Sequence, residues 1–414
     1  MTQTGKTPPI LSAPGTSALL ASSIIARLPL AMFGIALLVH ARQLSGSFAV
    51  AGVVSAAYAI SSAVAAPLLG ALVDRRGQTR VIVAGATLTA LTLCADGLLP
   101  TGAPALWLVA LAAATGLATP PLAACVRTLL PAVARDPAAL PALFAFESTV
   151  LELTFVFGPP LALGLGELWS TGAALCVSGL VMLGGTLLFA AQPASRRWRP
   201  EAATHRARGG ALRSAAMRTL VLIMLGTGAA FGATEVGVTA AAHGLGSDGA
   251  AGPLLGLWGA GSLLGGIIAT RFGGATRTMR GLTLLVAGLA LTHGALILTT
   301  GSVVAIGAMI FAAGATIAPT ASSVYAMVDR AAPSGSATEA FSWLVTASLT
   351  GAALGAAVAG ALAQSSGARA AFATVATAGL FAVVVAGLRS ASLTPDSSFP
   401  QTMGSMNPAP ASRA

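Results

Sequence analysis

Apolar positions along the chain gather into long runs separated by short polar gaps, at approximately 17–40, 47–72, 81–99, 104–126, 140–166 and 171–191. A second set lies at 217–241, 250–271, 281–299, 302–328, 338–363 and 368–389. Runs of about 18 to 27 residues, at ~1.5 Å per residue, each suffice to cross the ~30 Å hydrocarbon layer of a bilayer as a helix. The pattern predicts an all-α polytopic membrane protein: twelve transmembrane helices, arranged as two six-helix pseudo-repeats around a central cavity. The first sixteen residues are polar, and the run after them is too long for a signal-peptide core and has no convincing cleavage site, so it reads as an uncleaved first span.

The only long polar segment inside the chain is RRWRPEAATHRARGGALRSAAMR (196–218), with seven arginines against one glutamate. It divides the chain into a tail (1–16), an N-terminal bundle (17–191), a linker (192–216), a C-terminal bundle (217–389) and a second tail (390–414). Placing linker and tails in the cytoplasm puts eighteen of the 22 Lys+Arg on that side. The exceptions are Arg42 and Arg369 on outer loops and Arg27 and Arg127 within spans. This bias predicts a multi-pass protein of the cytoplasmic (inner) membrane with both termini cytoplasmic.

Composition removes the soluble alternative. Hydrophobic residues make up 55% of the 414 and charged residues 8%, and mean hydropathy is +0.84, whereas a soluble domain carries roughly 25% charged residues. The 49 glycines read as helix-contact seams, as in GLWGAGSLLGG (256–266) and GAALGAAVAG (351–360), with a compositional bias toward Gly and Ala as the alternative. A net charge of +10 does not indicate nucleic-acid binding, because the arginines fall in gaps between spans and form no stripe with aromatics. Cys94, Cys125 and Cys176 lack metal or disulfide spacing, and the four histidines are scattered, so neither metal nor cofactor is expected.

The two halves resemble each other. LLGALVDRRGQTR (68–80) aligns with LGGIIATRFGGATR (264–277), with Thr270 replacing Asp74. GLATPP (116–121) aligns with GATIAP (314–319) at nearly the same offset. Two motifs in one register argue for duplication of a six-span unit, giving parallel halves that face each other across a cavity.

The loop after the second run, GALVDRRGQTR, resembles the G-x-x-x-D-R-x-G-R-R signature of the major facilitator superfamily, as does the six-plus-six layout. Gly70, Asp74, Arg75 and Gly77 match, Arg80 lies nearby, and Gln78 and Thr79 depart from the pattern. The resemblance implies that Asp74 and the arginines form a cytoplasmic gate latched against the facing half. The alternative is that these arginines only set topology. TFVFGPPLALG (154–164) resembles the G-P-x-x-G-G element of drug/proton antiporters at Gly158 and Pro159, but the paired glycines are absent. This implies export and a helix hinge, with a simple packing kink as the alternative.

Ionisable residues inside spans cost ~2.5–3.5 kcal/mol on insertion scales, so they mark cavities or partners. Arg27, Arg127, Glu147, Glu152 and Glu235 are the candidates. Arg127 resembles the superfamily's span-four arginine. Five residues place Glu147 and Glu152 about 140° apart on a helix, so only one is expected to face a cavity squarely. Glu152 with Arg127 is the preferred proton-coupling pair and Glu235 the second candidate. Alternatively, Arg127 and Glu147 neutralise each other near the cytoplasmic face. Asp96 and Glu167 read as solvated charges at outer span ends, and Tyr325 occupies the repeat position of Arg127.

No nucleotide-binding loop, HExxH or GxSxG motif occurs. The expected function is therefore not enzymatic: it is secondary active transport of a small molecule by alternating access, as proton-coupled efflux of an amphipathic compound by a monomer. A metabolite importer or facilitator of the same fold, or a transport-inactive sensor or scaffold, are the alternatives.

Overall fold

The computed structural model describes residues 15–134, 136–199 and 210–389. Residues 1–14 of the first expected tail, all of the second (390–414), and linker residues 200–209 with His205 lie outside the described residues. Among the described residues all regular structure is helical, with twelve helical segments long and apolar enough to cross a membrane. In chain order, spans 1 to 6 are Thr16–Ser45, Val50–Arg76, Gln78–Gly97, Ala105–Val133, Pro137–Leu168 and Thr171–Ala191. Spans 7 to 12 are Ala215–Gly244, Ala251–Arg271, Met279–Leu298, Val303–Ala331, Ala337–Ser366 and Ala368–Leu388.

Local sequence explains the interruptions. Span 1 breaks into Thr16–Arg27 and Leu30–Ser45 at Pro29, which has no N–H to continue the ladder. Span 4 breaks at Thr119-Pro120-Pro121 into Ala105–Ala118 and Leu122–Val133. The repeated motif breaks span 10 into Val303–Gly314 and Ile317–Ala331. The duplicated sequence thus produces a duplicated break, and in the first half that break starts the short helix carrying Arg127.

Glycines set the helix separations. A Cβ on Gly351 or Gly355 of span 11 would collide with the backbone of Leu225 or Ala229 in span 7, and one on Gly228 or Gly232 would collide with Ser348 or Ala352 in return. Gly261 and Gly265 of span 8 press against Phe311 and Ala315 of span 10 in the same way. Where lipid gives no hydrophobic drive for association, such backbone approaches supply dispersion contact. Both glycine-rich runs therefore form seams over part of their length, while Gly256 and Gly360 face open space.

Spans 1–6 pack among themselves, as do spans 7–12, and the groups meet chiefly where span 2 crosses span 11 and span 5 crosses spans 8 and 10. Phe144 packs on Phe341, and Arg127 on Tyr325. Each pair joins nearly repeat-equivalent residues, as contacts beside a pseudo-twofold axis should. The hydrogen bonds joining the groups run from the linker face to mid-depth: Asp74 with Thr338 and Glu339, Thr128 with Thr338, Pro141 with Ala275, and Ala63 with Thr346. One apolar core spans both groups toward this face, whereas the opposite end of the second group has a separate core around Val238, Ile306 and Phe372. The halves are closed together at the linker face.

Gly232→Ala is expected to destabilise the protein, by about 1–3 kcal/mol for an overpacked contact. Gly360→Ala, in open space, should raise stability by up to ~1 kcal/mol through helix propensity. Thermal unfolding in detergent reads both, and opposite signs are the expected result.

Candidate functional site

Three spans bring the buried charges together. Span 1 supplies Arg27 as the last residue before its break, span 4 supplies Arg127 on its second helix, and span 5 supplies Glu147 two turns into the helix Leu140–Leu168. All three side chains are fully buried. Arg27 Nη1 donates to Glu147 Oε1, and Arg127 Nε donates to Glu147 Oε2 at 3.0 Å. Arg27 also donates from Nε to the Ser23 carbonyl at 3.2 Å and from Nη2 to Ser23 Oγ at 3.3 Å, which commits every nitrogen of its guanidinium. Arg127 differs: its guanidinium carbon lies 3.6 Å from the ring centroid of Tyr325, across the interface between halves. Its Nη1 and Nη2 have no hydrogen-bond acceptor among the described residues.

Arg127 therefore pairs with Glu147 rather than Glu152, the pairing expected as the alternative. The reason lies in helix geometry: the ~140° rotation over five residues that separates the carboxylates turns Glu147 into the first-half bundle, where both arginines converge. Glu152 is half-buried and makes no ion pair with a described residue. Glu235 is exposed. With Thr239 and His243 it forms a polar stripe at i, i+4 and i+8 along the outer part of span 7, a span on which no large hydrophobic side chain is exposed.

Asp96 overturns its expectation. It is not solvated: the residue is 1% exposed, and neither carboxylate oxygen has a partner. Gly97 and Gly172 allow spans 3 and 6 to touch backbone to backbone and so bury the end of span 3. His40 is buried beside it, with Nε2 donating to the Asp96 carbonyl at 3.0 Å and Nδ1 at 2.8 Å from Thr171 Oγ1. Glu167 is exposed. His293 accepts from Trp258 Nε1 at 3.1 Å and donates from Nδ1 to the Leu289 carbonyl, so this pair serves packing between spans 8 and 9. No group of three or more His, Cys, Asp or Glu among the described residues is arranged to hold a metal ion.

At the linker face, Asp74 is buried against span 11. Its Oδ1 accepts from Thr338 N at 3.2 Å and its Oδ2 from Glu339 N at 2.9 Å. These are the first-turn amides of span 11, whose own Ser336 provides no side-chain cap. One half thus caps a helix of the other with a carboxylate, satisfying orphan donors and opposing the positive end of the helix dipole. Gly70 makes this possible: a Cβ there would lie 2.6 Å from Ser342 Oγ and 2.9 Å from Glu339 Cα. Gly77 turns the chain at φ 96°, which glycine adopts without strain. Arg75 and Arg80 are exposed and form no ion pair with a described residue. In the second half Thr270 bonds only to Gly266 of its own helix, so the charged cap exists on one side alone.

Gly158 and Pro159 lie within the continuous helix Leu140–Leu168. A Cβ on Gly158 would sit 2.7 Å from Ala31 Cβ, so the glycine seats span 5 against span 1.

Twelve spans in two packed groups, closed at one face by an inter-half cap and holding an ion cluster within the bundle, define a polytopic helical carrier. Residues 19–343 match the family model described as Major Facilitator Superfamily, and the chain belongs to that superfamily of small-molecule transporters. Its fold is similar to a bacterial homologue of the iron transporter ferroportin in an outward-facing state, at TM-score 0.72 and 17% identity over 90% of this chain and 98% of that one. It is also similar to the proton:xylose symporter XylE (TM-score 0.65, 13% identity, 89% and 95% coverage). The human organic anion transporter MFSD10 is a further structural relative (TM-score 0.67, 16% identity, 92% and 100% coverage). No curated protein matches the sequence.

Asp74→Ala is expected to open the linker face. Losing a charged cap worth about 1.5–3 kcal/mol should raise alkylation of the buried Cys125 roughly tenfold or more in a Cys94→Ala, Cys176→Ala background. An unchanged labelling rate would show that the cap does not hold the halves together.

Proposed function

We propose that the protein is a secondary active transporter of a small amphipathic compound, coupled to protons through Glu152. The halves 17–191 and 217–389, joined by the 192–216 linker, are the moving bodies, and a single chain in the inner membrane, with its linker in the cytoplasm, is the working unit. One observation carries the coupling: both buried arginines are paired with Glu147, so Glu152 is the deep carboxylate on the same span without an ion pair to a described residue. A carboxylate in that setting takes up and gives back a proton at far lower cost than one locked between two guanidiniums. The polar stripe of Glu235, Thr239 and His243 suits the wall of a water-filled path on the side away from the linker.

Export in exchange for protons is the direction that the Gly158-Pro159 resemblance implies. Proton-coupled uptake has a specific observation in its favour. Two guanidiniums face one carboxylate, so a proton on Glu152 leaves a positive surplus, and a negatively charged substrate restores neutrality. Proton and substrate would then move together.

Reconstituted vesicles with an imposed pH gradient test both points. Substrate-driven proton flux should fall at least tenfold in Glu152→Gln, with gradient-independent substrate exchange retained. Flux with the sign of co-transport supports uptake, and the opposite sign supports export. Undiminished proton flux in Glu152→Gln would remove this residue from the coupling role.

A further inference from the structure

The two arginines of the buried cluster are not equivalent. Arg27 spends Nε, Nη1 and Nη2 on Ser23 and Glu147. Arg127 spends only Nε on Glu147, while Nη1 and Nη2 are buried without an acceptor among the described residues. Arg127 is fully buried, and unpaired donors on a buried cation are among the most costly groups a bundle can carry. The surplus positive charge of the cluster is thus localised on one edge of one guanidinium.

What covers that guanidinium belongs to the other half. The Tyr325 ring lies 3.6 Å from its carbon, offering the partial compensation of a cation–π contact. Tyr325 is held on Ile317–Ala331 of span 10 and packs edge-on against Phe341 of span 11, so it moves with the second half. When the linker face opens, the ring must leave Arg127. One face of the guanidinium then borders the opening, and its edge carries two coplanar amino groups with no acceptor among the described residues. A planar fork of this kind matches two oxygens of a carboxylate, in contrast to a point charge such as lysine.

We propose that Arg127 is the anchor for an organic carboxylate bound while the linker face is open, and that Tyr325 competes with the substrate for the same guanidinium. This rests on the transport reading and names its substrate class: an amphipathic compound bearing one carboxylate. The ring holds the cation when the linker face is closed, and the substrate holds it when that face is open. The two arginines are kept at one carboxylate, Glu147, because a second fixed acceptor at Nη1 and Nη2 would remove the site.

The test is equilibrium binding to the purified full chain in lipid nanodiscs, without a pH gradient. The probes are a fluorescent naphthoate, the matched neutral naphthamide and the matched naphthylmethylammonium. The naphthoate should bind about tenfold or more tightly than the amide, as a charge-assisted bidentate contact requires. Arg127→Gln should abolish the preference, and Arg127→Lys should retain only a small part of it. Tyr325→Ala should strengthen naphthoate binding several-fold and leave the amide unaffected, an increase that misfolding cannot mimic. Equal binding of the three probes, no saturable naphthoate binding, or an intact preference in Arg127→Gln would overturn the proposal. Carboxylate binding without proton flux would overturn only the coupling role of Glu152, and coupled movement of a neutral or cationic compound alone would overturn only the carboxylate site.

Discussion

Glu147 stands where spans 1, 4 and 5 converge, and its two oxygens are divided between Arg27 and Arg127. Without it, two like charges would face each other in a medium that screens them poorly. Removing one partner from a buried ionic group costs ~3–5 kcal/mol, and here both arginines would lose their counter-charge at once. The same contact fixes the plane of the Arg127 guanidinium through Nε, which determines that its face meets Tyr325 and its free edge carries Nη1 and Nη2. It also leaves Glu152 outside the ion cluster. Stability of the first half, the contact between halves and the distribution of titratable groups therefore trace to one carboxylate.

The architecture is nearly symmetric and the chemistry is not. Phe144 on Phe341 and Arg127 on Tyr325 pair corresponding positions of the two halves. Yet the first half contributes the charges and the second an aromatic ring, and the carboxylate cap is supplied by Asp74 alone because Thr270 stands in its repeat position. A duplicated bundle supplies two bodies that can rock against each other. The unequal residues give each body a distinct part in holding the linker face closed.

Much of this is legible in the chain, and what is not has a physical reason. Spans depend on contiguous apolar runs, so the run at 171–191 coincides with the helix Thr171–Ala191, and the two proline motifs mark the breaks in spans 4 and 10. Asp74 is legible from its loop, but its partners are backbone amides 264 and 265 residues away, which carry no side-chain signature. Helical rotation separates Glu147 from Glu152 without revealing which of them meets the arginines, because that depends on how spans 1, 4 and 5 are packed. Asp96 reads as solvated because its burial comes from the contact between Gly97 and Gly172, a tertiary event. The unequal use of Arg27 and Arg127 is likewise invisible until Ser23 and Tyr325 are placed around them.

Distances between spin labels across the two halves address the central claim directly. Arg80 and Arg280 are exposed near the linker-side starts of spans 3 and 9, and Leu98 and Leu298 are exposed at their far ends. If the Asp74 cap and the Arg127–Tyr325 contact hold two rocking bodies closed at the linker face, disrupting the cap with Asp74→Ala will lengthen the Arg80–Arg280 distance and shorten the Leu98–Leu298 distance. Distances that stay fixed, or that change in the same direction at both ends, would contradict the account.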